Sequence, residues 1–268
     1  MPAAAVSYTV FTKPWRMPLP DLGRFLAGLG FAGVELPVRP GYQVEPEAVT
    51  RGLPEATRVL GEFGLRIGSV AGPMDARTIA ACAEAGVPLI RVCVEIPPGR
   101  SYLEQEGEVL RRLEALVPVL ERHGVAIGLQ NHCDRFVGSA AGLRRLIERF
   151  DPRWIAAVWD PAHCALAGEI PSLAVDLLWS HLRLVNLKNA RWQRSSPAGA
   201  LPVRYAYRWV GGSEGLCPWP DVVGELLRRG YRGDVCLTAE YSDHAAVDRL
   251  IAADLAWART LAGRHMPS

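Results

Sequence analysis

Polar side chains that could do chemistry cluster in one short stretch, "GLQNHCD" (128–134), directly after an apolar run. Gln130, Asn131, His132 and Asp134 follow a segment of small and apolar residues. Such a change marks the point where a buried strand meets a loop, and binding and catalytic groups are often found on loops. The stretch therefore predicts part of an active site. Its amide, Gln130, cannot usefully donate or accept a proton near neutral pH.

A second stretch, "AVWDPAHC" (157–164), supplies a carboxylate and an imidazole. Asp160 ends an apolar run, Pro161 constrains the turn, and His163 follows three residues after the aspartate. Both side chains can face one cavity, as ligands of Mn²⁺, Zn²⁺ or Mg²⁺ or as a base with its hydrogen-bond partner. The alternative is structural, with Asp160 capping the next helix and His163 in its first turn.

The elements that must position these residues repeat one pattern, in which a helix-like segment ends at Gly and a β-rich run follows. Gly supplies the left-handed conformation that ends a helix. The runs lack clean alternation, as expected of parallel strands that are covered on both faces. Eight strands are predicted within residues 6–11, 28–37, 63–72, 84–95, 122–131, 154–159, 182–187 and 229–240.

Amphipathic helices are predicted between these strands. Leu22, Phe25, Leu26 and Leu29 follow the i, i+3, i+4, i+7 spacing of one helix face. Further helices are predicted within 46–62, 74–85, 109–120, 138–149, 171–180, 219–229 and 244–261. Eight βα units in 268 residues predict a closed (β/α)8 TIM barrel that forms a single domain over residues 1–268. The rival, an open doubly wound sheet, is disfavoured because no G-x-G-x-x-G lies directly between the first strand and the helix that follows it.

In such a barrel the active site lies at the C-terminal ends of the strands, so we expect a ring of polar residues at that rim. The fold does not need this ring for stability, and its occurrence at every strand favours a function. Its members in strand order are Thr12 and Lys13; Glu35; Ser69; Glu95; Gln130, Asn131, His132 and Asp134; Asp160 and His163; Asn186, Lys188 and Asn189; Glu240, Ser242 and Asp243.

Three members of the ring keep a structural alternative. Glu35 could pair with a buried arginine, and Lys188 could neutralise a neighbouring carboxylate. Glu95 precedes Pro97 and could be a solvated loop charge. The longest irregular segment, residues 189–217, carries several aromatic residues, and a loop of this length in a compact domain is usually functional.

Composition limits the classes of partner. The net charge is +2, from 30 basic and 28 acidic side chains, which provides no electrostatic case for nucleic acid or an anionic membrane. No apolar run is long enough to span a bilayer, and residues 1–11 lack the basic region of a signal peptide. The six cysteines have no CxxC spacing and are expected to be reduced. We therefore expect a cytoplasmic protein.

With these residues in place, the chain resembles the xylose isomerase-like (sugar phosphate isomerase/epimerase) barrel superfamily along nearly its whole length. "GFAGVEL" (30–36) is similar to the second strand of that family and "GVAIGLQNH" (124–132) to the fifth, which commonly ends in Glu-Asn-His. "AVWDPAH" (157–163) matches the Asp-Pro-x-His of the sixth strand. "RLVNLKN" (183–189) resembles a seventh strand that commonly reads His-x-Lys-Asp, and "VCLTAEYS" (235–242) resembles an eighth that ends in Glu.

The resemblance implies a divalent metal, often Mn²⁺, that is bound by Glu, Asp, His and Glu from strands five to eight. Carried over to this chain, the four positions are Gln130, Asp160, Asn186 and Glu240, so two ligands have become amides. Mn²⁺ or Mg²⁺ is still compatible with amide oxygens, but we expect a weak or absent metal site. Zn²⁺ is disfavoured because none of the four positions is a histidine.

The same change removes one of the two glutamates that act as the acid–base pair in ketose epimerases. A one-base route remains, in which Glu240, or Glu35 across the cavity, moves a proton within one face of an enediol. Lys188 would stabilise the developing oxyanion, and His163 is carried over as a further catalytic residue. His132 or Asp134 could act as a displaced second base.

A set of further residues is expected to bind the substrate. The aromatic residues could stack on an apolar sugar face and the polar ones could bind its hydroxyl groups. The set consists of Gln130, His132, Asn186, Trp15, Glu95 and Trp192.

The favoured function is a sugar isomerase or epimerase that acts through an enediolate on a small sugar-like molecule, or a related lyase. A metal-independent or non-catalytic sugar-binding descendant is the alternative. A repair endonuclease of the same superfamily is disfavoured, because its three-zinc cluster needs more histidines than this chain brings to the rim. The sequence is compatible with a homo-oligomer and does not determine the oligomeric state.

Overall fold

The computed structural model describes residues 6–264, and these form a closed parallel barrel surrounded by helices. Strand order around the barrel is β1-β10-β7-β6-β5-β4-β3-β2, so chain neighbours pair throughout and β10 closes against β1. The strands are β1 (Ser7–Phe11), β2 (Gly33–Pro37), β3 (Arg66–Ala71), β4 (Leu89–Cys93), β5 (Ala126–Gln130), β6 (Ile155–Trp159), β7 (Leu182–Leu187) and β10 (Asp234–Leu237). The predicted (β/α)8 barrel and its eight strands are confirmed.

Helices cover the outside of the barrel in the predicted places. They are α1 (Leu19–Leu29), α2 (Val49–Gly61), α3 (Ala76–Glu84), α4 (Tyr102–His123), α5 (Ala140–Ile147), α7 (Pro171–Leu178), α8 (Trp219–Arg228) and α9 (Val247–Gly263). Local chemistry sets their ends. Ser101 and Glu104 form a capping box at the start of α4, and Gly124 ends it at φ 65°.

Two apolar layers hold the barrel together. The larger lies between the strands and the helices, where Leu22, Leu53 and Leu113 are fully buried. The smaller fills the barrel interior with inward-facing side chains from seven of the eight barrel strands: Phe11, Ala71, Leu89, Ala126, Val158, Leu184 and Cys236. Because these side chains plug the barrel below its mouth, any cavity that binds a ligand must lie above them.

Two elements differ from the prediction. The segment predicted as irregular, 189–217, contains an antiparallel hairpin of β8 (Asn189–Arg194) and β9 (Tyr205–Val210). A short helix, α6 (Pro161–Leu166), directly follows Asp160. The hairpin was not predicted because its strands lack the apolar run of a barrel strand. They pair only with each other outside the barrel and are mostly exposed.

The remaining general expectations have mixed outcomes. All six cysteines are free, as predicted. No helix within the described residues has the length and apolarity to cross a membrane. The signal-peptide argument and the outer limits of the predicted single domain concern residues 1–5 and 265–268, which lie outside the described residues.

Candidate active site

A cavity of about 230 Å³ opens at the C-terminal ends of the barrel strands. Polar and aromatic residues from β1, β4, β5, β7, β10 and the segment after β2 line it. They are Phe11, Lys13, Arg39, Arg91, Cys93, Gln130, His132, Phe136, Asn186, Lys188, Thr238 and Glu240. Six of the seventeen members of the predicted ring therefore line one small space at the position that the barrel topology indicates; they are Lys13, Gln130, His132, Asn186, Lys188 and Glu240.

A buried ion pair forms one wall of this cavity. Both carboxylate oxygens of Glu35 on β2 accept from Arg91 on β4, with Nη2–Oε2 at 2.7 Å and Nε–Oε1 at 3.0 Å. Ser69 Oγ donates to the same carboxylate at 3.0 Å. Glu35 is fully buried, so its carboxylate is committed to the guanidinium. Glu35 therefore pairs with a buried arginine, which is the structural alternative that the sequence left open.

Gln130 links that ion pair to the next carboxylate. Its Oε1 accepts from Arg91 Nη1 at 2.8 Å, and its Nε2 donates to Asp160 Oδ2 at 3.0 Å. A glutamate here would face Asp160 with a second negative charge, whereas the amide meets a cation on one side and an anion on the other. Gln130 is therefore a hydrogen-bonding bridge between Arg91 and Asp160.

Asp160 caps the helix that follows it, which is the structural alternative that the sequence left open. Its Oδ1 caps α6 by accepting from the backbone N–H of Ala162 and His163, while Oδ2 faces the cavity side. Asn131 holds the aspartate in place through two hydrogen bonds to its backbone, at 2.8 and 2.9 Å. Burial raises the pKa of Asp160 to about 6, although the nearby Lys188 ammonium acts in the opposite sense.

Lys188 lies between two carboxylates at the end of β7. Its Nζ is 2.8 Å from Glu240 Oε2 and 3.4 Å from Asp160 Oδ2. Lys13 Nζ approaches the other oxygen of Glu240 at 2.5 Å. Burial alone would lower the pKa of Lys188, but the two carboxylates outweigh it and raise that pKa. Burial alone would raise the pKa of Glu240, but the two ammonium groups hold it well below its usual value.

The two histidines are neutral and have different protonated nitrogens. His163 Nδ1 accepts from the backbone N–H of Cys133 at 3.1 Å, so its proton is on Nε2, which lies 3.5 Å from Asp160 Oδ2. His132 Nδ1 contacts the carbonyl oxygen of Cys133 at 2.9 Å, and a carbonyl only accepts, so this ring keeps an unprotonated Nε2. Burial lowers the pKa of both rings.

The β8–β9 hairpin covers one side of the site. The Trp209 ring lies 4.1 Å from Lys188 Nζ and 5.2 Å edge-on from the His163 ring. Trp209 is fixed to the segment after β10 by two hydrogen bonds with Ser242. Tyr207 OH donates to Asp134 Oδ2 at 2.8 Å and so joins the hairpin to the loop after β5. The hairpin thus shields the lysine from solvent.

Unsatisfied polar groups remain in the cavity wall. Both amide atoms of Asn186 and the hydroxyl of Thr238 are buried without a hydrogen-bond partner among the described residues. Between Thr238 and Glu240, Ala239 adopts φ 53°, a left-handed conformation that costs a non-glycine residue about 1–2 kcal/mol. Unpaired buried polar atoms and local backbone strain are both features that concentrate at functional sites.

Three predicted substrate-binding residues lie outside the cavity lining. Trp15 is buried in the core, where it packs edge-on against Phe25 and donates to Asp248. Glu95 is exposed, and Trp192, on the outer part of the hairpin, is 46% exposed. Aromatic type and closeness to a strand end do not show which way a side chain points.

Six lining residues were absent from the predicted ring: Phe11, Cys93, Phe136, Arg91, Thr238 and Arg39. Arg91 is a lone charge within the apolar strand "PLIRVCVE", and that placement was the available signal. Thr238 lies two residues before Glu240 on the same strand run, and Arg39 follows β2 after Val38. Neither of the last two has a distinctive sequence context.

The four positions implied for a divalent metal do not fit one. Asp160 and Glu240 already face ammonium groups, and the amide oxygen of Gln130 accepts from Arg91. A divalent ion bound to these oxygens would lie beside the Lys188 ammonium and be repelled by it.

Another group of three potential ligands within the described residues, His132, Cys133 and His163, is also a poor fit. The Nδ1 lone pair of His163 is already used, and burial raises the pKa of the Cys133 thiol to about 12. A protonated thiol is not a metal ligand.

The chain is thus a (β/α)8 barrel with a polar cavity at the C-terminal ends of its strands, and the size of that cavity suits a small molecule. A family model described as xylose isomerase-like TIM barrel matches residues 24–261. The chain therefore belongs to the xylose isomerase-like TIM barrel family, as the resemblance predicted. No curated protein matches the chain.

Solved structures with the same fold are distant in sequence. D-psicose 3-epimerase from Clostridium cellulolyticum H10 superposes with a TM-score of 0.72 at 14% identity, over 96% of this chain and 99% of that one. 3-Keto-D-glucoside 4-epimerase from E. coli has a TM-score of 0.71 at 18% identity, over 95% and 99%. The probable 3-DHS dehydratase from Bacillus anthracis has a TM-score of 0.70 at 18% identity, over 94% and 98%.

Proposed function

We propose that this protein is an isomerase or epimerase of the xylose isomerase-like family that acts on a small sugar-like molecule without a bound metal. One observation carries the proposal: Lys188 Nζ lies between the carboxylates of Asp160 and Glu240, two of the positions implied for metal ligands. An ammonium group with a raised pKa supplies a fixed positive charge in that place. It can perform the electrostatic part of the chemistry for which relatives use a cation.

The reaction class is proton transfer next to a carbonyl. A base removes the proton from the carbon beside the carbonyl, the C–H electrons form the C=C bond of an enediolate, and the carbonyl oxygen becomes an oxyanion. Lys188 then stabilises that oxyanion. The hydroxyl proton on the adjacent carbon then passes to that oxyanion, the second oxygen forms the new C=O bond, and the C=C electrons take the proton back from the base at the former carbonyl carbon. This aldose–ketose isomerisation needs one base on one face of the substrate.

His132 is the base that we assign to this step. Its Nε2 carries a lone pair, its ring lines the cavity, and its pKa is lowered, so it is unprotonated at neutral pH. Glu240, the base favoured by the sequence alone, is paired with two lysines that lower its pKa and make it a weak proton acceptor. Asp160 and Glu240 act instead as positioning residues that keep Lys188 protonated and oriented.

Glu35 takes no part in proton transfer in this scheme, because both of its oxygens accept from Arg91. Gln130 joins that pair to Asp160, so the network holds the wall of the cavity rigid. His163 Nε2 lies 3.5 Å from Asp160 Oδ2 without a hydrogen bond between them, and we assign this ring a positioning role. Asn186 and Thr238 provide unpaired donors and acceptors for substrate hydroxyl groups.

A lyase is the second candidate. β-Elimination starts with the same abstraction of a proton beside a carbonyl and needs the same base and oxyanion stabiliser, with departure of a leaving group in place of reprotonation. One structural neighbour is described as a probable 3-DHS dehydratase, a name that fits an elimination. The product of the reaction distinguishes the two candidates.

The experiment is solvent-deuterium incorporation into a panel of aldoses, ketoses and sugar acids, with and without EDTA. We expect incorporation that survives the chelator in a protein with less than about 0.1 metal per chain by elemental analysis, which would be the level of trace contamination. H132Q and K188M should abolish incorporation, and H123Q, at the end of α4, should leave it unchanged.

Three outcomes contradict parts of the proposal. Stoichiometric Mn²⁺ or Mg²⁺ and loss of exchange with EDTA would refute the metal-free assignment. Exchange that survives H132Q but not E240Q would return the base role to Glu240. Absence of exchange across the panel, with sugars still bound, would support the non-catalytic binding protein.

A further inference from the structure

The cavity has a positive charge that no described residue neutralises. Arg39 lines it from the segment after β2, and its guanidinium makes no ion pair or side-chain hydrogen bond within residues 6–264. Its guanidinium carbon lies 5.7 Å from the centre of the Phe11 ring. Arg91 lies on the same ring, at 4.6 Å. Phe11 thus supports two arginines at the cavity, of which only Arg91 has a carboxylate partner.

The surrounding charges balance without Arg39. Arg91 pairs with Glu35, Lys188 lies between Asp160 and Glu240, and Lys13 contacts the second oxygen of Glu240. Those three cations and three carboxylates compensate one another, and the two histidines are neutral. One unpaired positive charge therefore faces the cavity, and a site with this charge attracts an anion.

Unpaired polar atoms in the part of the wall formed by β7 and β10 point independently to a ligand. Asn186 is completely buried and Thr238 is 2% exposed, yet neither side chain has a hydrogen-bond partner among the described residues. An unsatisfied buried polar group costs about 1–3 kcal/mol, so a ligand that satisfies it gains affinity. Amide and hydroxyl groups that line a cavity of about 230 Å³ suit a small polyhydroxylated molecule.

We propose that the substrate is a hydroxylated carboxylate, such as a sugar acid, whose carboxylate pairs with Arg39 while its hydroxyl groups bind Asn186 and Thr238. This inference rests on the proposed function and names the substrate class of the same site. A carboxylate matches the planar fork of a guanidinium, and its single charge matches the one uncompensated cation. A phosphate ester carries close to two negative charges, so one of them would lack a partner.

Matched ligand pairs test the proposal by calorimetry on the full chain. The pairs are D-glucuronate with D-glucose and D-galacturonate with D-galactose, with D-glucose 6-phosphate as the dianionic arm. We expect a sugar acid to bind at least about tenfold more tightly than its neutral partner. R39Q should weaken acid binding about 10- to 100-fold, the range of a lost charge-assisted hydrogen bond, and leave neutral sugars unchanged. R39K should recover part of the loss.

R100Q is the matched control, because Arg100 is an exposed arginine whose side chain contacts Gln105 away from the cavity. Equal affinity for acid and neutral partners, no effect of R39Q, or no binding of either acid at millimolar concentration would overturn the proposal. Tighter binding of the phosphate ester than of both acids would overturn the choice of a carboxylate. If a sugar acid binds but exchanges no deuterium, the proposed isomerase function is refuted and the carboxylate subsite is not. If neutral ketoses exchange deuterium and sugar acids bind no more tightly than neutral sugars, the carboxylate subsite is refuted and the isomerase function is not.

Discussion

The two ends of the barrel each contain an arginine–carboxylate pair, but in different surroundings. At the N-terminal end, Arg66 on β3 pairs with Asp234 on β10 and also donates to Ser7, and the arginine side chain is 47% exposed. At the C-terminal mouth, Arg91 and Glu35 are 7% and 0% exposed and continue into Gln130, Asp160 and the lysines. The pair at the N-terminal end is isolated and solvated, whereas the pair at the mouth belongs to a buried network.

The difference shows what distinguishes a site from a structural cluster. Polar residues at a strand end are not sufficient, because the N-terminal end has them too. The mouth adds a cavity, an unpaired arginine and buried polar atoms without partners. Groups at the N-terminal end complete one another, whereas several groups at the mouth need a ligand to complete them. Four predictions test that contrast.

The largest effect is expected on catalysis from K188M. Loss of the ammonium removes the stabiliser of the oxyanion and should lower kcat about 100- to 1000-fold on the substrate that the exchange assay identifies. R66M at the N-terminal end should leave kcat unchanged. Retention of the near-ultraviolet circular dichroism spectrum by K188M would show that the loss is catalytic. A kcat within about threefold of the wild type would contradict the role of Lys188.

The next effect concerns stability. E35Q leaves the buried Arg91 without its counter-charge and should lower the free energy of unfolding by about 3–5 kcal/mol. D234N breaks the more exposed pair and should cost at most about 1 kcal/mol. Urea denaturation measures both. Equal decreases in the free energy of unfolding for E35Q and D234N would mean that burial does not make the ion pair at the mouth more important for stability than the pair at the N-terminal end.

A pH profile separates His132 from the carboxylates. Burial lowers the pKa of His132 below 6.5, so the base form dominates at pH 7 and is lost as the pH falls through that pKa. We expect kcat/KM to be flat above pH 6.5 and to fall about tenfold per unit below the pKa. Asp160, with a pKa of about 6, also titrates in that region. D160N should therefore lower the rate but keep the fall of kcat/KM at acid pH. If that fall disappeared in D160N, it would be assigned to Asp160 instead of His132.

The smallest effect is expected at the hairpin. Y207F removes the hydrogen bond from the tyrosine hydroxyl to Asp134 and should cost about 0.5–1.5 kcal/mol. Since the hairpin covers Lys188 through Trp209, we also expect a modest rise in KM without a change in kcat. Y205F, at a 62% exposed tyrosine of the hairpin whose hydroxyl has no hydrogen bond among the described residues, is the control. A fall in kcat with unchanged KM would assign Tyr207 to the chemistry instead.

The fold could be predicted almost completely, because its signals are local. Gly residues that end helices and apolar runs that form covered strands lie within about ten residues of each other, and eight repeats leave a closed barrel as the natural solution. The β8–β9 hairpin was missed because its strands are mostly exposed and pair only with each other.

The position of the candidate site and six of its twelve lining residues could be predicted. Lys13, Gln130, His132, Asn186, Lys188 and Glu240 line the cavity at the strand ends where the polar ring was expected. The partners of Gln130, Lys188 and Glu240 could not be derived, since each comes from a distant part of the chain. Arg91 is 56 residues from Glu35, on a strand that is not its neighbour in the barrel. Trp15 is the opposite case: its place near a strand end predicted a substrate-binding residue, but its side chain packs in the core.

The sequence by itself determined the barrel, the end of the barrel that holds the cavity, and the amides Gln130 and Asn186 at two positions for which the resemblance implies metal ligands. Only the tertiary structure decided which charges neutralise one another, which histidine nitrogen keeps its lone pair, and which arginine is left over. The physical reason is that secondary structure follows from contacts a few residues apart. Protonation and charge balance follow from burial and from neighbours that the closure of the barrel brings together.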